Sequence, residues 1–283
     1  MSFDANTHRQ ESLEGWEEAA SGWVRRQGLM RDLAAPVSHW MLDAISPQPG
    51  QRVLELAAGL GETGLLAAEL VAPMGGVIVS DQAEAMLEGA RARAIQLGLS
   101  NVEFQVLNAE WIDLPLASVD AVLCRWGYML MADPATALSE TRRVLRPGGR
   151  LALAVWDRVD SNPWALLPAQ ELAERGLASA EQSPQPGPFT LGDPERVAEL
   201  LAQAGFSEVH VEKLELSRLH DTFEDLWEST LDLSRRFHDA VLARPAAEVQ
   251  AIHASLAERF ADYVTPGGRL VVPGRTLVAS ASA

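Results

Sequence analysis

Residues 53–64 read Val53-Leu54-Glu55-Leu56-Ala57-Ala58-Gly59-Leu60-Gly61-Glu62-Thr63-Gly64. An apolar run with one acid near its end breaks into a glycine turn, and the turn opens a helix-forming stretch. A second apolar run, Val77-Ile78-Val79-Ser80, ends on Asp81. This order of strand, glycine loop, helix, strand and terminal acid builds a nucleoside pocket at the carboxyl ends of an open parallel sheet. The spacing leaves the nucleoside open. Gly59-x-Gly61-x-x-Gly64 satisfies the dinucleotide pattern, and Asp81 suits any ribose diol.

The carboxylates narrow the choice. Glu55 stands just before the turn and Glu62 in the first turn of the helix, where a pyrophosphate needs backbone donors and positive potential. Two acids there oppose a phosphate and suit a ligand with a free amino group. S-adenosylmethionine is such a ligand, with an adenosine, a sulfonium, an α-ammonium and no phosphate. On these residues the chain resembles the class I S-adenosylmethionine-dependent methyltransferases, and within them the small-molecule branch that includes the ubiquinone/menaquinone C-methyltransferases. The resemblance covers about residues 50–157, with a looser match through 215 and at the C-terminal strand. The family's first motif is acid-x-Gly-x-Gly-x-Gly. Here it reads Glu55-Leu56-Ala57-Ala58-Gly59-Leu60-Gly61, so Ala57 replaces the first glycine. A methyl group there calls for a φ below zero.

Bulk properties exclude several other classes. The 283 residues suffice for one α/β domain with appendages or for two small domains. A formal net charge of −16 disfavours nucleic acid and an anionic membrane surface as partners. One cysteine, Cys124, rules out an internal disulfide framework and points to a reducing, cytoplasmic setting. Neither a signal peptide nor an apolar stretch of ~18 residues is visible.

Between residues 52 and 156, strand and helix patterns alternate. Strands are expected at 52–57, 76–81, 102–107, 119–124 and 150–156. Helices are expected from Glu62, over 83–97 and over 134–145, with Gly98 and Pro147-Gly148-Gly149 as stops. Such alternation gives a parallel sheet with helices on both faces. Residues 10–46 read as two helices, the first with Leu13, Trp16, Ala20 and Trp23 recurring at near-helical spacing. Beyond Trp156 we expect a helix over 161–176, a loop at Ser183–Pro188 and a helix capped by Asp193. A strand over 208–216, two helical stretches within 222–263 and a terminal strand over 275–281 follow.

The resemblance implies a Rossmann-like, doubly wound α/β fold with a seven-stranded, mostly parallel sheet and a helical cap. It divides the chain into N-terminal helices covering the site (1–48), a cofactor-binding core (49–221 and 265–283) and a helical insertion (222–264). The insertion serves as a lid, or alternatively as a packing surface for a homodimer. No internal repeat is present.

Among the candidate site residues, Glu55 is costly inside an apolar strand unless it is paired. It reads as an acceptor for the loop amides and the methionyl ammonium. Asp81 reads as the ribose acceptor, with a helix cap as its plain structural role. Ala57, Ala58, Gly59 and Gly61 form the turn, and Gln82 and Met86 flank the adenine. In the family an acid-Ala pair recognises the adenine amine. Asn108-Ala109-Glu110 stands in that place, with the Asn108 amide oxygen as acceptor. Cys124, Arg125 and Trp126 end the fourth strand, where the methyl group faces its acceptor. Cys124 has no histidine near it in the sequence and reads as a buried hydrophobe, not a nucleophile. Trp126 and Met129 suit a wall between cofactor and acceptor. Trp23, with Trp16, suits a cover over the cofactor, although i, i+7 aromatics also simply pack a helix on a sheet. None of the six histidines forms a metal-ligand spacing. His8, His39, His220 and His238 are each base candidates if they reach the pocket. No catalytic residue is legible.

The reading is therefore S-adenosylmethionine-dependent methyl transfer to an O, N or C atom of a small molecule, with S-adenosylhomocysteine as product. Alignment of acceptor, methyl and sulfur supplies most of the catalysis. Two alternatives stay open. A nicotinamide-dependent oxidoreductase is opposed by the acids around the turn and by the lack of a Tyr-x-x-x-Lys pair, since Val209 stands four residues before Lys213. A cofactor-binding protein without turnover is motivated by Ala57 and Asn108.

Overall fold

The structure is a computed structural model that describes residues 3–178 and 186–283. Chain order is α1 (Ala5–Arg25), α2 (Gln27–Ile45), β1 (Arg52–Glu55), α3 (Glu62–Val71), β2 (Gly76–Asp81), α4 (Glu84–Leu97), β3 (Val102–Val106), β4 (Val119–Arg125), α5 (Pro134–Val144), β5 (Leu145–Trp156), α6 (Pro163–Glu174), α7 (Pro194–Gln203), β6 (Ser207–His220), α8 (Phe223–Leu233), α9 (Arg235–Leu242), α10 (Ala246–Arg259) and β7 (Leu270–Ser282). The sheet has seven strands in the order β3-β2-β1-β4-β5-β7-β6. β1 through β5 pair in parallel, and β7 runs antiparallel to both β5 and β6. Only β7 opposes the rest, so six strands point their carboxyl ends to one edge.

The central strands are apolar on both faces because helices cover both. Val53, Leu54, Val79, Val122 and Leu123 are fully buried. Local chemistry sets the helix starts. Asp133 accepts from the Thr136 N–H at 3.0 Å with Pro134 at the first position of α5, and Asp193 with Pro194 repeats the device on α7. The face of α1 carrying Leu13, Trp16, Ala20 and Trp23 packs on Leu60, Ala83 and Met86, beside the glycine turn.

Several boundaries differ from the sequence pattern. α1 starts at Ala5, capped by Asp4, whose carboxylate accepts from the Asn6 and Thr7 N–H groups. Pro147-Gly148-Gly149 does not end the element. β5 begins at Leu145 and carries these residues through a bulge, with Gly148 at φ +77° and the register jumping between Val119 and Ala121 on β4. β6 extends to His220 and β7 starts at Leu270, because the two hairpin partners keep pairing past Pro273 and Gly274. Residues 222–263 hold three helices instead of two. Of the expected loop Ser183–Pro188, residues 183–185 lie outside the described ones.

Among the described residues, a second apolar cluster stands apart from the main core. It joins α6, α8, α9, α10 and the start of β7 through Leu172, Leu226, Trp227, Phe237, Ile252 and Phe260. Trp164 packs against both clusters. No helix of the described residues is long and apolar enough to cross a membrane.

Candidate functional site

The glycine turn, the ends of β2 and β4, the segment after β3 and helix α1 enclose a pocket of about 1040 Å³, counting its open mouth. Twelve residues expected at a cofactor site line it: Ala57, Ala58 and Gly59 from the turn, Asp81, Gln82 and Met86 from β2–α4, Asn108, Ala109 and Glu110 after β3, Arg125 and Trp126 at the end of β4, and Trp23 from α1. Glu55, Gly61 and Cys124 do not line it.

The turn keeps a glycine geometry without the first glycine. Ala57 has φ +49°, Gly59 +54° and Gly61 +76°, so the expectation of a negative φ at Ala57 is corrected. Holding a non-glycine residue in the left-handed region costs about 1–3 kcal/mol and persists only when surrounding contacts fix it. Here the surroundings do so. Leu56 N–H donates to the Leu123 carbonyl at 2.8 Å, and Ala58 N–H to the Ser80 carbonyl at 2.9 Å. Gly61 stays behind the turn, where a Cβ would press Ala90 at 3.2 Å.

Glu55 sits behind the turn against the first turn of α3, where its carboxylate fills the space a side chain at Gly64 would need. It is 2% exposed, and its Oε2 has no hydrogen-bond partner. Burial pushes its carboxyl up to about 7, against the opposing pull of Arg125 and the Gly64 N–H. The acid that faces the pocket is Glu62, which accepts from Gln27 Nε2 at 2.9 Å. Glu62 was visible in the sequence as one of the two acids at the turn, but no sequence feature says which of the pair faces inward.

Asp81 uses both roles open to it. Oδ2 accepts from the Gly59 N–H at 2.8 Å and Oδ1 from the Ala83 N–H at 3.0 Å. Burial raises its carboxyl above the ordinary range, with the Ala83 and Gly59 amides pulling the other way. Each oxygen keeps a second lone pair for an incoming hydroxyl. Asn108 does not offer a wholly free amide oxygen, because Oδ1 accepts from the Glu110 N–H at 2.9 Å. Glu110 is committed to scaffolding. Oε2 takes both Arg9 Nε at 3.1 Å and Nη2 at 2.6 Å, while Oε1 takes the Ala132 N–H at 2.9 Å.

Arg125 lines the pocket with no carboxylate within ion-pair distance among the described residues. Its Nε donates to Thr63 Oγ1 at 3.1 Å, and Thr63 meets Ser38 at 2.9 Å. Burial lowers the guanidinium pKa, which the nearby charges of Glu55 and Glu62 partly restore. Trp126 has φ +61° and stacks on Trp156 with ring centroids 4.3 Å apart. Cys124 is fully buried beneath this wall, and burial pushes its thiol up to about 12. That environment makes it inert.

Helix α1 closes the pocket through tethers that the sequence pattern does not disclose. His8 Nε2–H donates to the Leu130 carbonyl at 3.0 Å, Gln82 reaches Ser12 at 3.0 Å, and Arg9 forks onto Glu110. Glu17 caps α4 from outside, accepting from the Glu84 N–H at 2.7 Å and the Ala85 N–H at 3.1 Å. Among the described residues, none of 222–264 lines the pocket. The insertion instead holds α1 and α2 from behind. Arg26 binds Asp225 at 2.9 Å, Glu228 at 3.0 Å and Asp232 at 2.7 Å. Of the four base candidates, only His8 lines the pocket.

A methyltransferase-domain family matches residues 47–205, more than half of the sequence. The chain belongs to this family. It is 32% identical over 183 residues to nocamycin O-methyltransferase from Saccharothrix syringae, covering 62% of this chain and 65% of that one. It is 34% identical over 141 residues to a ubiquinone/menaquinone biosynthesis C-methyltransferase from Hahella chejuensis, covering 48% and 56%. Among solved structures, the YcgJ protein from Bacillus subtilis superposes with a TM-score of 0.59 over 87% of this chain and 97% of that one, at 18% identity. At that identity the likeness is one of fold. The chain spans between 36% and 66% of the length of the first curated relatives it matches.

Proposed function

We propose that this protein transfers a methyl group from S-adenosylmethionine to a small-molecule acceptor, as an O-, N- or C-methyltransferase. One observation carries the reading. A single pocket brings together a diol acceptor (Asp81), an acid (Glu62), a cation without a carboxylate partner (Arg125) and an amide for a base edge (Asn108). Trp23 lines the pocket, and its Nε1 is buried without a partner, which leaves a donor for a bound ligand. A pyrophosphate finds the wrong charge at this turn, which weighs against the nicotinamide alternative.

In this reading Asp81 accepts from the ribose hydroxyls, and Asn108 with Ala109 borders the adenine above Met86. Glu62 faces the ammonium and Arg125 the carboxylate, while Glu55 adds its charge across the turn. When bound, the cofactor supplies an electrophilic methyl group on a good leaving group. The chain's own contribution is then alignment and exclusion of water, for which α1 and Trp126 form the walls. Residues 1–48 act as the cover, 49–221 with 265–283 as the core, and 222–264 as the brace behind the cover. Nocamycin O-methyltransferase and the C-methyltransferase relative are named for small-molecule chemistry, which supports the same class of acceptor here. The lone cysteine is consistent with a cytoplasmic, reducing setting. The φ of Ala57 keeps the turn in its glycine form, so that substitution gives little support to a non-catalytic protein.

Incubation with methyl-labelled S-adenosylmethionine and a panel of phenols, amines and activated carbon acids tests the reading. Label transfer to at least one member is expected. Cofactor binding with no transfer to any member would favour the non-catalytic alternative.

A further inference from the structure

Trp126 stands just past the end of β4 with φ +61° and lines the pocket. A bulky aromatic residue in the left-handed region is an outlier, and such strain persists only where surrounding contacts over-determine it. Three contacts do so. The Trp126 N–H donates to the Ala154 carbonyl at 2.7 Å, its ring stacks on Trp156 at 4.3 Å, and its Nε1–H donates to Thr276 Oγ1 at 3.1 Å. Thr276 itself lies on β7, is fully buried and does not line the pocket. Its hydroxyl proton is committed to the Val155 carbonyl at 2.6 Å, which leaves the oxygen's lone pairs for the indole.

The sheet puts these groups together. Thr276 and Trp156 are directly opposed on the antiparallel pair β5–β7, so their side chains leave one face of the sheet side by side. A ring stacked on Trp156 therefore meets the Thr276 hydroxyl at its edge. The two contacts restrain different motions. Stacking, here at an interplanar angle of 14°, fixes the tilt of a ring but lets it slide and turn in its own plane. The directional hydrogen bond to Thr276 removes that freedom.

What the fixed ring carries is Arg125. Its guanidinium carbon lies over the Trp126 ring, 4.8 Å from the centre. Among the described residues, donation from Nε to Thr63 Oγ1 at 3.1 Å is its one hydrogen bond, so the indole restrains the plane of the Nη fork. We propose that Thr276 is a positioning residue for cofactor binding: through Trp126 it holds the Arg125 fork in the plane that takes the methionyl carboxylate. The inference rests on the methyl-transfer reading, in which Arg125 faces that carboxylate, and adds to it a buried residue outside the pocket. Two parallel hydrogen bonds between guanidinium and carboxylate need the groups coplanar, so a platform that sets the plane beforehand reduces the ordering left for binding. Thr276 touches no ligand in this account.

Calorimetry on the full-length protein compares S-adenosylhomocysteine with 5′-methylthioadenosine, which lacks the amino-acid end and serves as the internal control. Thr276→Val keeps the shape and removes the hydroxyl. It is expected to weaken S-adenosylhomocysteine by about fivefold, the scale of reordering one long side chain on binding, and to leave 5′-methylthioadenosine within about twofold of wild type. Thr276→Ser restores the hydroxyl and with it the wild-type affinity. In an Arg125→Met background the Thr276→Val effect disappears, because the group it acts through is gone. Trp126→Phe breaks the same hydrogen bond from its other end and is expected to repeat the Thr276→Val pattern, so the test survives a valine variant that does not fold. Equal weakening of both ligands, or a lowered unfolding midpoint with S-adenosylhomocysteine affinity unchanged, overturns the proposal and leaves Thr276 a packing residue. An undiminished Thr276→Val effect in the Arg125→Met background overturns it as well. Wild-type protein that binds no S-adenosylhomocysteine overturns the methyl-transfer reading, and this inference with it.

Discussion

Gly22 of α1 runs so close to Asp232 of α8 that a Cβ at position 22 would strike the Asp232 carbonyl oxygen. The side chain of Asp232 meanwhile binds both Arg25 at 2.6 Å and Arg26 at 2.7 Å. The insertion therefore acts on the pocket at one remove, by setting where α1 lies. Gly22→Ala is expected to lift α1 and weaken S-adenosylhomocysteine binding by about tenfold, a loss typical of a small misplacement. Calorimetry on the folded variant reads this directly. Unchanged affinity would separate α1 from the site.

Glu55 gives a pH signature. Its folded pKa of about 7 lies above the ordinary carboxylate value of 4.5, so the folded state favours the protonated form. The stability this contributes is complete below pH 4.5 and is lost as pH rises through 7. Glu55→Gln should match the wild type near pH 4 and exceed it by a few kcal/mol at pH 8 in denaturant titrations. The same substitution should weaken the zwitterionic cofactor more than 5′-methylthioadenosine. An equal loss for both ligands would leave Glu55 a role in shaping the turn alone.

Asp81→Ala should weaken S-adenosylmethionine and S-adenosylhomocysteine alike, by roughly 1.5–3 kcal/mol, because the ribose is common to both. It should also lower stability, since the Gly59 and Ala83 amides lose their acceptor. An unaltered affinity in a folded variant would take Asp81 out of the ribose contact.

Gly127 and Ala57 are coupled. A Cβ on Gly127 would lie 2.6 Å from that of Ala57 and 2.7 Å from Cys124 Sγ. Gly127→Ala should cost about 1–3 kcal/mol by overpacking, and adding Ala57→Gly should recover part of it. Strict additivity in a urea double-mutant cycle would contradict this contact.

The parts of the site that depend on adjacent residues were legible in the sequence. The turn and Asp81 follow from strand–loop–helix patterning, because each lies at the end of its own strand, whereas the Asn108 segment was assigned through the family resemblance. The seven-stranded order could be expected only through the family resemblance, since register between distant strands leaves no local mark. Side-chain direction was not legible. Glu55 and Glu62 are both acids at one turn, yet only packing against Gly64 sends Glu55 behind it. The α1 tethers join residues about 70 to 120 apart, as with Gln82 to Ser12 and His8 to Leu130, and no periodicity encodes such pairs. The Pro147-Gly148-Gly149 run misled because the bulge in β5 uses the same residues a helix stop would.

The central claim is that this pocket holds a phosphate-free adenosyl amino acid. Calorimetric titration of the wild-type protein with S-adenosylhomocysteine and, separately, with NADH and NADPH tests it most directly. The account predicts one-to-one binding of S-adenosylhomocysteine in the micromolar range or tighter and no saturable binding of either dinucleotide. Saturable NADH or NADPH binding with no heat from S-adenosylhomocysteine would contradict it.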